Sequence, residues 1–344
     1  MTQQDRACGG RAGRGKAGSL ARAMKLLVTG AFGNLGQMVV REAQRQSLTL
    51  RCADLPSAKS RRAARALAAG AELAWGDVRD ADWLARLVEG VDAVIHLAAL
   101  LPPATKNRPA LAEAVNVTAT QQLVAALSRS PRAPLLLYPS SLTVFGLTQA
   151  RPPPRRLSDA VAATDAYTRH KLAIEAHLAA SAIPWVVFRV AVAVDGRTLS
   201  ADAGTLRKMV AVRAGNRLEW VHPEDVALAM VNAVRRKDEV SGRTFLIGGG
   251  PRCQVTQAAF LGAAIEAAGL RWSEGYHGGD EYYTDWLDTA ESERLLGYQR
   301  HSFEDYRAEL AQGLRPARAL LRPLRPLANP LLAALAGRIR RTAG

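Results

Sequence analysis

KLLVTGAFGNLG, residues 25–36, is the stretch on which the fold turns. A short apolar run ends at Gly30, and Gly33 and Gly36 follow at intervals of three. NLGQMVVREAQRQ, residues 34–46, then places its apolar residues with helical spacing. Strand, glycines and helix in that order form a tight turn whose backbone can approach a pyrophosphate. The phosphate charge then rests on the N-terminus of the helix. Gly30, Phe32, Gly33, Asn34, Leu35 and Gly36 are therefore candidate cofactor contacts. A glycine-rich turn with no ligand has the same spacing, so context has to decide.

The alternation continues along the chain. Apolar strands are expected in LTLRCAD (48–54), ELAWGD (72–77), VDAVIHLAA (91–99), APLLLYPSS (133–141) and IPWVVFRVAV (183–192), with helical segments between them. Continuous apolar strands separated by helices imply a parallel sheet covered on both faces. The fold class is α/β, a doubly wound (Rossmann) sheet with ligand at the carboxyl ends of the strands. After Arg189 the rhythm loosens, and a small C-terminal substrate lobe is expected from residues 191–221 and 251–312. Residues 24–190 and about 222–250 form the dinucleotide-binding part, with RTFLIGGG (243–250) returning to the sheet. Residues 1–23 are glycine-rich and lack apolar periodicity, and they read as a disordered basic extension. Met24 is a candidate alternative start, which the N-terminal mass of the native protein would test.

The net charge of +15 looks like a nucleic-acid signature until it is located. Residues 1–24 carry +4 and residues 313–344 carry +7, which leaves +4 on the body. With the charge in two tails and no basic stripe interleaved with aromatics, nucleic acid is not expected as a partner. No apolar run approaches the roughly 20 residues of a membrane span. Cys8, Cys52 and Cys253 are odd in number and far apart, and the histidines are scattered, so neither a disulfide framework nor a metal is expected. A reducing cytoplasm is the compartment this implies.

Chemistry-bearing residues collect at the ends of the expected strands. Asp54, 18 residues after Gly36, suits the acid that accepts from an adenosine ribose hydroxyl and repels a 2′-phosphate. This favours NAD over NADP, although Arg51, Arg61 and Arg62 keep NADP open. Asp77, backed by Val78, could accept from the adenine amino group, or could simply favour the start of a helix. His96 reads as a satisfied near-core histidine. Leu97, Ala98 and Ala99 are small enough to let a cofactor cross the strand ends, and close packing explains them equally well. Ser141 ends the fifth strand, in YPSSLTVFG. Tyr167 and Lys171 lie four apart in AYTRHK, a pairing that chance would supply roughly 0.14 times in such a chain. His170 between them reads as a solvated helix histidine.

In order, TGAFGNLG, Asp54, GDV, HLAA, Asn116 in VNVT, Ser141 in SSLTVFG and the Tyr167/Lys171 pair resemble the extended short-chain dehydrogenase/reductases, the NAD-dependent epimerase/dehydratase group. The resemblance covers roughly residues 25–250, with HPEDVA and FLIGGG as later landmarks. It implies Ser141, Tyr167, Lys171 and Asn116 as the catalytic set and a small-molecule substrate. Tyr167 would exchange a proton with a substrate oxygen, its pKa lowered by the neighbouring ammonium. Ser141 would bond the same oxygen, Lys171 would also hold the nicotinamide ribose, and Asn116 would support a water relay. Asn116 is otherwise a capping or helix-bend residue. Thr143 either lines the substrate site or faces the fold. The resemblance also implies a homodimer.

Departures from the family's pattern narrow the reaction. Family dehydratases place Thr-Asp-Glu after the serine, whereas Thr143 is followed here by Val144 and Phe145, which disfavours dehydration. FRVAVAVDG (188–196) lacks the asparagine with which nucleotide-sugar epimerases grip a diphosphate. The leading expectation is a dehydrogenase/reductase acting on a secondary alcohol or ketone. An NAD-retaining (nucleotide-)sugar epimerase and a non-catalytic NAD(H)-binding sensor are the alternatives. The tail, LRPARALLRPLRPLANPLLAALAGRIRR, pairs leucine with arginine, and Pro316, Pro323, Pro326 and Pro330 prevent one long helix. Peripheral membrane contact, packing on a partner subunit and disorder all remain open for it.

Overall fold

A computed structural model describes residues 24–196 and 203–342, so the extension expected to be disordered lies outside the described residues. Seven strands form the main sheet: β1 Lys25–Thr29, β2 Thr49–Asp54, β3 Glu72–Trp75, β4 Ala93–His96, β5 Leu135–Ser141, β6 Trp185–Val190 and β9 Arg243–Ile247. All pairs are parallel, in the order β3-β2-β1-β4-β5-β6-β9. The order reverses between β1 and β4, where Thr29 lies beside His96. That reversal opens the crevice where a doubly wound sheet takes its ligand.

Alternate residues serve opposite faces of the sheet. Leu26, Val28, Ile95, Leu137 and Phe188 pack with Met38 and Val39 of the helix Asn34–Arg45 and with Val226 and Met230 of the helix Pro223–Arg235. Leu27, Val94, Leu136 and Val187 pack with Leu84, Leu123, Leu127, Ile174 and Leu178 on the other side. Both faces are buried, so the strands read as apolar runs with no polar alternation.

The lobe has its own small sheet, β10-β8-β7, formed by β7 Val192–Ala193, β8 Arg217–Val221 and β10 Gln254–Thr256. Trp220, Phe260, Phe303, Tyr306 and Leu310 form its core. Two buried carboxylates tie it together. Asp285 accepts from Thr148 and Arg217 and lies 3.2 Å from Arg155. Glu219 accepts from the backbone N–H groups of Gly250 and Leu287 and from Gln254. Part of the expected lobe returns to the main sheet: Leu295, Leu296 and Tyr298 belong to the same core as Phe245 and Ile247 of β9.

The chain ends in two helices, Arg315–Leu321 and Arg325–Thr342. Pro316 and Pro326 sit in their first turns, where no N–H donor is needed, and Pro330 is accommodated inside the second. Among the described residues no helix is long and apolar enough to cross a membrane.

Candidate active site

The glycine loop sits at the switch point. Gly36 is required by packing, because a Cβ there would lie 2.2 Å from the Gly30 carbonyl oxygen. Gly33 is different. Its φ of −68° suits any residue, and a Cβ would meet only the Gly30 oxygen, at 3.3 Å. Gly33 and Asn34 are exposed, Leu35 is half-buried, and Phe32 is buried beneath them. The helix that Gly33 opens has no side-chain cap and no acid in its first turn. Its leading N–H groups therefore face open space with a partial positive charge, which is the environment a pyrophosphate requires.

Asp54 closes this loop from the side. Its carboxylate accepts from Phe32 N–H and Leu55 N–H, both at 2.8 Å, and each oxygen retains a lone pair. Asp77 is engaged instead by Arg79, whose guanidinium holds the carboxyl below its usual range. Val78 beside it packs against the core. The end of β4 is fixed from within. His96 bridges Thr29 Oγ1 at 2.8 Å and Thr120 Oγ1 at 3.2 Å, and Thr29 Oγ1 also accepts from Ala98 N–H. Complete burial pushes the imidazole down to about 3, so His96 is neutral and structural, as its sequence context implied. Leu97 and Ala98 are half-buried and Ala99 is exposed along the same crevice.

The helix Ala166–Ala179 begins at Asp165, which accepts from Thr168 N–H in a capping box. Its fourfold spacing stacks Tyr167, Lys171 and Glu175 on one face. The Lys171 ammonium donates to the Pro139 carbonyl at 2.6 Å and lies 4.5 Å from the Tyr138 ring and 5.5 Å from the Tyr167 ring. Burial pushes Lys171 down to about 8, opposed by Glu175. Glu175 is in turn held by Arg189 at 2.7 Å and by Ser140. Glu175, Arg189 and Ser140 were not anticipated, although Glu175 is simply the next fourfold step after Lys171.

Ser141 stands close enough to Tyr167 to favour its phenolate. Thr143 holds Ser141 in place: its N–H and hydroxyl both donate to Ser141 Oγ, at 3.2 and 2.9 Å. With both serine lone pairs occupied, its hydroxyl can act only as a donor. Thr143 thus faces Ser141. The expected lowering of the tyrosine pKa is not found. Burial pushes Tyr167 up to about 12, and Ser141 only partly offsets this, because desolvation of a phenolate outweighs one hydrogen bond.

Asn116 lies in a π-helical turn, Ala114–Thr118, buried behind the crevice. Its amide exchanges two hydrogen bonds with the backbone of Leu100, at 2.7 and 2.8 Å, and its Nδ2 lies 3.4 Å from His170 Nδ1. His170 is not solvated as expected. It is buried, with Nε2 2.9 Å from Glu113. Tyr282 arrives from the lobe, close enough to raise the Tyr167 pKa, and local sequence gives no sign of it. His222, Glu224 and His301 place donor atoms within 4.8 Å of one another. The His222 Nδ1 accepts from Glu224 N–H, which puts its proton on Nε2 toward Glu309 and leaves no ring lone pair for a metal.

The sequence profile described as the NAD dependent epimerase/dehydratase family matches residues 26–194. Among solved structures, UDP-glucose-4-epimerase from Stenotrophomonas maltophila, with bound NAD and formylated UDP-arabinopyranose, is 23% identical with a TM-score of 0.69. That match covers 85% of this chain and 98% of the other. A dTDP-glucose 4,6-dehydratase from Streptomyces venezuelae, with NAD bound, is 22% identical with a TM-score of 0.71, covering 88% and 100%. A short-chain dehydrogenase/reductase superfamily protein from Agrobacterium tumefaciens, also with NAD, is 20% identical with a TM-score of 0.68, covering 88% and 99%. These likenesses show the extended short-chain dehydrogenase/reductase fold. Through residues 26–194, the chain belongs to the NAD dependent epimerase/dehydratase family.

Proposed function

We propose that the chain is an NAD-dependent oxidoreductase that transfers hydride between the nicotinamide and a secondary alcohol or ketone of a small-molecule substrate. The observation that carries this is the grouping of Ser141, held by Thr143, with Tyr167 and the Lys171 ammonium at the end of β5. The uncapped helix behind Gly33 and the Asp54 carboxylate fit a dinucleotide. NAD is preferred because the Asp54 carboxylate beside the glycine loop would repel a 2′-phosphate, while Arg51 is committed to Glu72 and Arg61 lies over the Trp75 ring. When bound, the cofactor accepts or donates the hydride and, oxidised, adds positive charge.

The residues do the rest. Tyr167 rests protonated and is ready to give its proton to a ketone oxygen. In the reverse direction the Lys171 charge favours the phenolate that accepts the alcohol proton. Ser141 orients the oxygen, and Asn116 holds the Leu100 backbone at the rim. A second reading is favoured by the family match: an epimerase returns hydride to the same substrate, using the same residues on retained NAD. Denaturing protein purified without added cofactor and quantifying released nucleotide separates the two. Near-stoichiometric NAD supports the epimerase, and an empty protein that binds NADH reversibly supports the dehydrogenase. No binding of either nucleotide sinks both.

Two substitutions test the parts. Gly33→Asp supplies the missing helix cap, so the melting temperature should hold or rise slightly, while NAD affinity falls at least 100-fold by repulsion. Calorimetric titration and a melting curve read the two together, and NAD affinity within threefold of the parent would remove the loop from the site. Thr143→Val frees a lone pair on Ser141 and should lower kcat about tenfold at unchanged NAD affinity, with Thr143→Ser restoring it.

A further inference from the structure

The C-terminal helices carry two features that the reaction does not use. The first is a row of uncovered leucines. Leu320, Leu324, Leu327 and Leu331 are 68, 47, 70 and 70% exposed. Leu327 and Leu331 lie one turn apart on the helix Arg325–Thr342, with exposed Ala334 next along that face. The opposite face is the docked one. Arg325 donates to the Gly269 carbonyl, Asn329 accepts from Arg271 N–H at 3.1 Å, and Ala336 is buried with Val210 and Leu261 of the lobe. The helix is therefore held on the body by one side and turns its leucines outward.

The second feature is charge. Residues 313–344 hold seven arginines and no acid, and Arg315, Arg318 and Arg322 are exposed beside Leu320 and Leu324. A second copy of this segment would bring like charges together. Duplex nucleic acid would satisfy the arginines but leave the leucines in water. A surface that is both apolar and anionic satisfies both, and a bilayer rich in acidic phospholipid is such a surface. We propose that residues 315–334 dock this protein peripherally on anionic membranes, with leucine side chains among the acyl chains and arginines at the phosphates. The proposal is independent of the reaction.

Flotation of the full-length protein with vesicles tests it. Vesicles of phosphatidylcholine with one quarter phosphatidylglycerol should carry the protein upward at 0.1 M salt, and pure phosphatidylcholine vesicles should carry at least tenfold less. Leu320→Ser/Leu324→Ser/Leu327→Ser/Leu331→Ser should lose flotation at an unchanged melting temperature, since all four residues are exposed. Arg315→Gln/Arg322→Gln should reduce the partition coefficient about thirtyfold. Failure of the parent protein to float with anionic vesicles overturns the proposal. So does equal flotation of the leucine variant, or heparin binding at the same salt without flotation, which would mark a polyanion site instead.

Discussion

Tyr167→Phe lowers kcat by about three orders of magnitude, the middle of the range for removing a positioned proton donor. The ring stays and only the hydroxyl goes, so cofactor retention and the fold should be nearly unchanged. Loss of the hydroxyl beside Ser141 costs about 1 kcal/mol of stability at most. Single-turnover reduction of bound NAD, followed at 340 nm, measures the chemical step apart from binding. The same substitution should leave KM within a few-fold, because the phenol acts on the reacting oxygen rather than on remote parts of the substrate. Activity within twofold of the parent would remove Tyr167 from the chemistry, and with it the proposed role of Ser141 and Thr143 beside it.

Lys171→Met removes activity and makes the protein more stable. An ammonium pushed from 10.5 down to about 8 is a charge that the fold holds at a cost of about 3 kcal/mol at pH 7. Methionine fills the same space without charge, and the Pro139 carbonyl loses its donor, which takes back about 1 kcal/mol. A net gain of about 2 kcal/mol is expected at pH 7. Its pH dependence is specific. Below pH 8 both folded and unfolded chains hold the lysine proton, and the full penalty is present. Between about 8 and 10.5 the folded lysine is neutral while the unfolded one is still charged, so the parent gains stability as pH rises and the difference between the two proteins shrinks. Urea unfolding at pH 7 and pH 10 measures it. A variant less stable than the parent at pH 7 would mean that the Lys171–Glu175 attraction outweighs desolvation.

The main sheet was legible because its strands are buried on both faces and so appear as uninterrupted apolar runs. The glycine loop was legible because three glycines stand between a strand and a helix. The lobe was less so. RLEWV, the β8 strand, carries Glu219 at its centre and falls in the stretch after Arg189 where the rhythm of the sequence loosens. In the fold that carboxylate is wholly buried, because Gly250, Gln254 and Leu287 supply its donors from 31 to 68 residues away. Tyr282 reaches Tyr167 across 115 residues with no periodicity to announce it. The Asp77–Arg79 pair and the raised Tyr167 pKa were hidden for a related reason. Both depend on which neighbour supplies charge and which only removes water, and spacing alone does not distinguish them.

The wide turn at Ala114–Thr118 has a consequence of its own. A π turn is an α-helix with one residue too many, and it shifts the phase of everything before it against everything after. Downstream of the shift, Thr120 meets His96 on the inner wall; within it, Asn116 meets the Leu100 backbone; upstream, Glu113 meets His170. Deleting one residue there would restore the rhythm of the helix and put one half out of step with the crevice. The extra residue is thus a mechanical offset between the half of the helix that meets His96 and the half that carries Glu113 to His170.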